Sequence, residues 1–136
     1  MLKKVLCVDD DPITLMLCKK VIIKAAFSEE IIFANNGKDA IDLIDNFSSH
    51  KNDNQVEMPQ LIFLDLNMPI MNGWDFLKQF QENYAKDFSK TKVIILSSTI
   101  DPSDHNKAKQ YENIVSHFLS KPITVEMLEE LKPLYS

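Results

Sequence analysis

Val5-Leu6-Cys7-Val8-Asp9-Asp10-Asp11-Pro12 is the stretch on which the reading of this chain turns. Four consecutive apolar residues without polar alternation fit a strand buried on both faces. Three carboxylates close the run. Asp11 before Pro12 is a helix start, a capping side chain followed by proline in the first turn. The unit then repeats. Ile31-Ile32-Phe33-Ala34 precedes Asn36-Gly37 with Asp39. Leu61-Ile62-Phe63-Leu64 ends in Asp65 and precedes Asn72-Gly73 with Asp75. Val93-Ile94-Ile95-Leu96 precedes Asp101-Pro102 with Asp104. A shorter fifth run, Phe118-Leu119, reads as an edge strand, and Thr124 as the cap of a fifth helix. Five such alternations predict an α/β fold: a parallel five-stranded sheet with helices on its faces.

The helical stretches are amphipathic to different degrees. The first is apolar nearly throughout, from Ile13 to Ala26; the third carries Trp74, Leu77, Phe80 and Tyr84 at helical spacing. The fifth carries Val125, Leu128 and Leu131, with Met127 and Leu134 beside them. These stripes read as core. Pro102 to Tyr111 offers only Ala108 and Tyr111 as apolar anchors, so the fourth helix should be the most weakly docked. The polar run from Ser48 to Gln55 reads as a solvated loop.

The chain has 136 residues, 45% hydrophobic and 26% charged, which suits one globular domain over residues 1–136 and leaves no room for a separate output domain. Its formal charge of −5 and the lack of a basic patch argue against nucleic acid. No apolar run approaches membrane-spanning length and no secretory leader precedes the first strand, so a cytoplasmic protein is expected. Gly37 and Gly73 are the only glycines, which rules out G-x-G-x-x-G and Walker-type phosphate loops. Cys7 and Cys18 lie in apolar patterns without metal-site spacing and read as buried free thiols.

Chemistry concentrates at the strand ends. Asp9, Asp10 and Asp11 follow the first strand, Asp65 ends the third, Ser97-Ser98-Thr99 follows the fourth, and Lys121-Pro122 follows the fifth. In open α/β sheets ligands bind outside the carboxyl ends of the strands, where strand order reverses. Asp11 is explained as a helix cap, whereas Asp9 and Asp10 are not. Carboxylates a few ångströms apart repel by about 1 to 4 kcal/mol per pair, and a divalent cation is the natural remedy. Carboxylate, carbonyl and water ligands suit Mg²⁺, with Mn²⁺ not separated from it. The set suits phosphoryl transfer to a carboxylate, with Asp65 as nucleophile, Lys121 offsetting charge and Ser97 donating to a phosphoryl oxygen.

With Val5 to Asp11, Leu64-Asp65-Leu66-Asn67-Met68-Pro69-x-Met71-x-Gly73, Ile95-Leu96-Ser97-Ser98 and Phe118-Leu119-Ser120-Lys121-Pro122, the sequence resembles a two-component response-regulator receiver domain over essentially its whole length. The resemblance implies a flavodoxin-like (βα)5 doubly wound sheet of strand order 2-1-3-4-5. It further implies that Asp65 accepts a phosphoryl group from a histidine kinase or histidine phosphotransfer protein. Asp10, Asp65 and the backbone carbonyl of Asn67 would bind Mg²⁺, with Asp9 assisting. Ser97 falls at the switch hydroxyl, Phe118 at the switch aromatic and Lys121 at the phosphate-contacting lysine. The same resemblance implies a cis bond before Pro122, and puts Asn67 and Thr99 where the phosphoryl lifetime is tuned. Departures are small: serine at 97, Ser98 where alanine is frequent, and no glycine between Tyr111 and Phe118.

These readings predict a signalling protein rather than an enzyme. Its output would pass through the helix 4, strand 5 and helix 5 face to a protein partner, or onward to a histidine phosphotransfer protein. Two rival readings stand beside this one. A haloacid-dehalogenase-like phosphatase would use Asp9 in the D-x-D of Asp9-Asp10-Asp11 as nucleophile, but it leaves Asp65 and Asn67-Met68-Pro69 without a role. A receiver-like module that signals without phosphorylation would lack Asp10, Asp65 or Lys121, and all three are present.

Overall fold

Continuously apolar strands need cover on both faces, and the computed structural model, which describes residues 1–50, 57–98 and 101–135, supplies it. Strands β1 (Leu2–Val8), β2 (Ser28–Ala34), β3 (Leu61–Asp65), β4 (Lys92–Ser97) and β5 (Val115–Ser120) alternate with five helices. These are α1 (Pro12–Lys24), α2 (Gly37–Ser49), α3 (Gly73–Asn83), α4 (Pro102–Ala108) and α5 (Val125–Tyr135). All strand pairs are parallel, in the order β2-β1-β3-β4-β5. This is the flavodoxin-like arrangement expected, with β1 and β3 adjacent at its centre.

Successive residues of each central strand feed opposite layers. Leu6, Val8, Ile62, Leu64, Val93 and Ile95 pack against Ala40 and Ile44 of α2 and Phe76, Leu77 and Phe80 of α3. Val5, Cys7, Leu61, Phe63, Ile94 and Leu96 pack against α1 and α5. Cys7 and Cys18 are buried free thiols, as expected. No helix among the described residues is long and apolar enough to cross a membrane.

The start signals act as read. Asp11, Asn36, Asn72 and Asp101 each accept a backbone N–H in the first turn of α1, α2, α3 and α4, and Thr124 accepts from Met127 in α5. Helix α1 ends in a Schellman motif. Ala26, at φ 51°, donates to Ile23 and Phe27 donates to Ile22, with Ile22 and Phe27 both buried.

Three expectations are corrected. Only Leu15, Cys18 and Ile22 of α1 are fully buried, while Ile13, Met16, Leu17 and Ile23 face outward, because a helix covering one sheet face buries a single stripe. Strand β2, at the edge where the expected order puts it, is not buried on both faces as its apolar run predicts: Ile31 and Ile32 are half-buried and Phe33 is exposed. Strand β5 is also an edge but longer than Phe118-Leu119, and Leu134 of α5 is exposed rather than core.

Helix α4 buries no residue of its own. The 3-10 turn after it, Lys109–Tyr111, buries Tyr111, which stacks on Trp74 of α3 with ring centroids 6.3 Å apart. Lys107 lies over the Trp74 ring at 4.9 Å. His105 stacks on Phe118 of β5, centroids 4.1 Å apart and planes 22° from parallel. The helix is thus held by ring contacts near its surface, which agrees with weak docking.

Candidate functional site

Parallel strands put all their carboxyl ends at one rim, and the polar residues that end the apolar runs meet there. Asp9 follows β1 and is 4% exposed; Asp65 ends β3 and is 7% exposed; Asp10 is exposed. One carboxylate oxygen from each of Asp9, Asp10 and Asp65 lies within 4.8 Å of the others. Lys121, in the loop after β5, places Nζ 2.6 Å from Asp9 Oδ2 and 3.3 Å from Asp65 Oδ1. The other Asp9 oxygen accepts the Asp11 N–H at 2.9 Å, so both oxygens of Asp9 are engaged.

Ser97, at the end of β4, is 2% exposed, and its carbonyl accepts the Lys121 N–H at 2.8 Å. That bond fixes the β5–α5 loop against β4, and the Lys121–Pro122 bond is cis. Asn67 is exposed in the β3–α3 loop, two residues beyond Asp65. Phe118 lies in β5 opposite Ile95 in the ladder and is half-buried under His105. Thr99 lies outside the described residues, as do residues 51–56 of the polar loop.

Burial, and then the charge of Asp9, raise the Asp65 carboxyl above the ordinary range; the charge and hydrogen bond of Lys121 and the Asn67 backbone N–H pull the other way. Burial alone would lower the Lys121 ammonium. The hydrogen bond to Asp9 and the charges of Asp65 and Asp9 outweigh it and raise the group. Three oxygen-donor carboxylates within a few ångströms, two of them buried, form a hard ligand set with more negative charge than one lysine neutralises, which fits a divalent cation such as Mg²⁺.

Both glycines position this rim. The Gly73 N–H donates to the Leu66 carbonyl at 3.0 Å, seating the start of α3 against the β3 tip; a Cβ there would stand 2.6 Å from the Asp65 carbonyl oxygen. The Gly37 N–H donates to the Met71 carbonyl at 2.9 Å, and a Cβ there would stand 2.6 Å from that oxygen.

Two contributors escaped the sequence reading. His105 carries no pattern that would pair it with Phe118. Ile70, in the β3–α3 loop, has φ 69° and is 79% exposed. The Met71 N–H donates to the Pro69 carbonyl at 2.7 Å across it, a γ-turn of the positive-φ kind, which is rare and strained. A β-branched residue there is an outlier that costs roughly 1 to 3 kcal/mol.

Comparison with known proteins agrees with this geometry. The profile of the response regulator receiver domain matches residues 5–131. A two-component response regulator from Cytophaga hutchinsonii superposes with a TM-score of 0.86 at 30% identity, covering 98% of this chain and 96% of that one. Hybrid signal transduction histidine kinase L of Dictyostelium discoideum is 28% identical over 131 residues, 96% of this chain but 7% of that protein. Two-component response regulator ARR9 of Arabidopsis thaliana is 29% identical over 140 residues, 95% of this chain and 57% of that protein. The chain thus spans a small part of the hybrid kinase it matches.

Proposed function

The chain belongs to the response regulator receiver domain family, and from that premise we propose that it is a phosphoacceptor whose Asp65 takes a phosphoryl group from a phosphohistidine of a histidine kinase or phosphotransfer protein. The observation that carries this reading is the Lys121 ammonium 3.3 Å from Asp65, within a cluster where Asp9, Asp10 and Asp65 approach to 4.8 Å.

An Asp65 carboxylate oxygen forms the new bond to phosphorus as the bond from phosphorus to the donor imidazole nitrogen breaks, and the imidazole takes up a proton from solvent. Lys121 offsets the added negative charge, and the Ser97 hydroxyl donates to a phosphoryl oxygen. Asp9, Asp10, Asp65 and the Asn67 backbone carbonyl would hold Mg²⁺, or Mn²⁺ in its stead, which supplies charge neutralisation between the carboxylate and phosphoryl oxygens.

Phosphorylation adds charge and acceptor oxygens at Asp65, and Ser97 is drawn toward them. The loop after Ser97 leads to α4, whose shallow anchoring makes its displacement inexpensive, so the α4, β5 and α5 face changes population for a protein partner. The chain turns over only its own phosphoryl group. Incubation with Mg²⁺ and acetyl phosphate, read by intact mass, tests the proposal. Wild type should gain one phosphoryl group and Asp65→Asn none. Labelling retained in Asp65→Asn and lost in Asp9→Asn would transfer the role to Asp9, and unlabelled wild type that still binds Mg²⁺ would remove the phosphoacceptor function.

A further inference from the structure

A groove of about 1330 Å³ opens at the amino-terminal end of the sheet, the end opposite the acidic cluster. The starts of β1, β4 and β5, the approach to β3 and the end of α5 border it. Nothing in the chemistry of Asp65 uses it. Met58, Phe88 and Leu134 line its walls, and Leu134 is 63% exposed. Lys3, Lys90 and Lys92 stand around it against Glu57 and Asp87, a surplus of positive charge in a chain whose formal charge is −5.

A β-bulge builds the polar wall of this groove. Val115 pairs with Val93 and His117 with Ile94, so Ser116 is one residue more than β4 matches. Consecutive residues of a regular strand point to opposite faces. Here the Ser116 hydroxyl and His117 Nδ1 both hydrogen-bond the Tyr135 hydroxyl of α5, the histidine at 3.0 Å. A serine–tyrosine pair alone would tie α5 to β5, so that tie does not account for the histidine. His117 brings a second nitrogen, Nε2, which has no hydrogen-bond partner among the described residues. Burial raises the Tyr135 phenol, against the pull of the Ser116 hydrogen bond, so it stays a hydroxyl able to donate. With Tyr135 accepting from Ser116 and donating to Nδ1, the ring proton sits on Nε2, a donor polarised by the two bonds behind it.

We propose that this groove is a second ligand site, for an amphipathic organic carboxylate: His117 and the lysines around it take the carboxylate, and the wall of Met58, Phe88 and Leu134 takes the apolar body. Small-molecule sites combine apolar walls with a few convergent polar groups, as here. The small surplus of positive charge suits a monoanion, and bonds from an ammonium group to a carboxylate are the stronger, charge-assisted kind. Lys92 donates to the Asn113 carbonyl at 2.9 Å and Lys3 faces Glu57 at 3.9 Å. Lys90, exposed and without a partner among the described residues, is the ammonium free to turn to the ligand. No residue of the groove belongs to the acidic rim, so the site stands apart from the phosphoacceptor reading.

Amide chemical shifts of the isotopically labelled chain, titrated with octanoate, acetate and octylammonium, test the assignment. Octanoate should saturate shifts at residues 87–92 and 115–117 with a dissociation constant of about 1 mM, as expected of roughly ten heavy atoms at ordinary ligand efficiency. Acetate lacks the apolar body and octylammonium reverses the charge, and each should bind at least about tenfold more weakly. His117→Phe keeps a ring beside Tyr135 and loses both nitrogens, while Leu134→Ser alters a side chain that is already exposed. Each should weaken octanoate about fivefold, and urea midpoints measured alongside show that the variants remain folded. Three results would overturn the proposal: octylammonium bound as tightly as octanoate, wild-type affinity in either folded variant, or shifts that never saturate or that centre on the acidic rim.

Discussion

The Lys121 ammonium approaches Asp9 at 2.6 Å, closer than its 3.3 Å approach to Asp65, so the lysine is tethered chiefly to the β1 tip. One cation bridges the ends of two central strands from a loop following the sheet's edge. Removing it leaves two buried carboxylates without their counter-charge.

Lys121→Met should therefore lower the unfolding free energy without metal, read from urea titrations, by about 2 kcal/mol, between the cost of breaking a buried pair and that of a surface one. Saturating Mg²⁺ should restore most of the loss, because the cation neutralises the same carboxylates. A variant as stable as wild type without metal would mean that the acid cluster is solvated well enough not to need the lysine.

Asp65 makes the converse case. Its folded-state value is raised, by burial and then by Asp9, so ionisation favours the unfolded chain. Its stabilising contribution is fully present below the unfolded value of 3.8 and lost as pH rises through the higher folded value. At neutral pH, metal-free Asp65→Asn should be more stable than wild type by about 1 kcal/mol, the scale of one close carboxylate repulsion partly screened by Lys121. The difference should shrink as pH falls through the raised folded value toward 3.8 and level off below it. Urea titrations of both proteins in chelator across this range measure it, and a gap that widens at low pH contradicts the sign.

The rim was legible because Asp9, Asp65, Ser97 and Lys121 sit at or just beyond the ends of apolar runs, and a parallel sheet brings all such ends to one side; the strand order followed from the receiver-domain resemblance. What stayed hidden depends on position within the layers. Ile31 to Ala34 is as apolar as Val5 to Val8 and reads as equally buried, yet Ile31 and Ile32 are half-buried and Phe33 is exposed; apolar continuity does not count neighbours. Ile13, Met16, Leu17 and Ile23 read as core because α1 is apolar nearly all round, while its contact with the sheet admits only the stripe of Leu15, Cys18 and Ile22. The ring of His105 meets Phe118 only through tertiary packing, and neither residue's local sequence encodes the pair.

That stack carries its own prediction. With no buried side chain in α4, the His105–Phe118 and Lys107–Trp74 contacts bear much of its docking. An aromatic pair contributes about 0.5 to 1.5 kcal/mol, so His105→Ala should speed amide hydrogen exchange across residues 102–111 roughly fivefold. Trp74 fluorescence should respond to beryllofluoride, an acyl-phosphate mimic, in wild type as α4 shifts Lys107 relative to the indole. In His105→Ala part of that change should already be present before the mimic is added. Unchanged exchange would show that the ring contact is incidental to the helix's position.

The two glycines separate stability from chemistry. An alanine Cβ at Gly37 would stand 2.6 Å from the Met71 carbonyl oxygen and 2.8 Å from Met71 Cγ. Relief there moves the far side of the β3–α3 loop and leaves the β3 tip in place. An alanine Cβ at Gly73 would stand 2.6 Å from the carbonyl oxygen of Asp65 itself and 2.8 Å from Leu66 Cα, so relief must displace the backbone that aims the acceptor carboxylate. Each substitution should cost about 1 to 3 kcal/mol, the range for forced overpacking against a fixed backbone. Their labelling rates with acetyl phosphate should diverge: Gly37→Ala near wild type, and Gly73→Ala slowed by roughly tenfold or more, since an ångström of misplacement at a reacting group has effects of that order or larger. Urea midpoints and initial labelling rates measured on the same preparations check both halves. Equal slowing in the two variants would mean that the loop moves as one piece, and that the γ-turn at Ile70 transmits the Gly37 contact to Asp65 instead of isolating it.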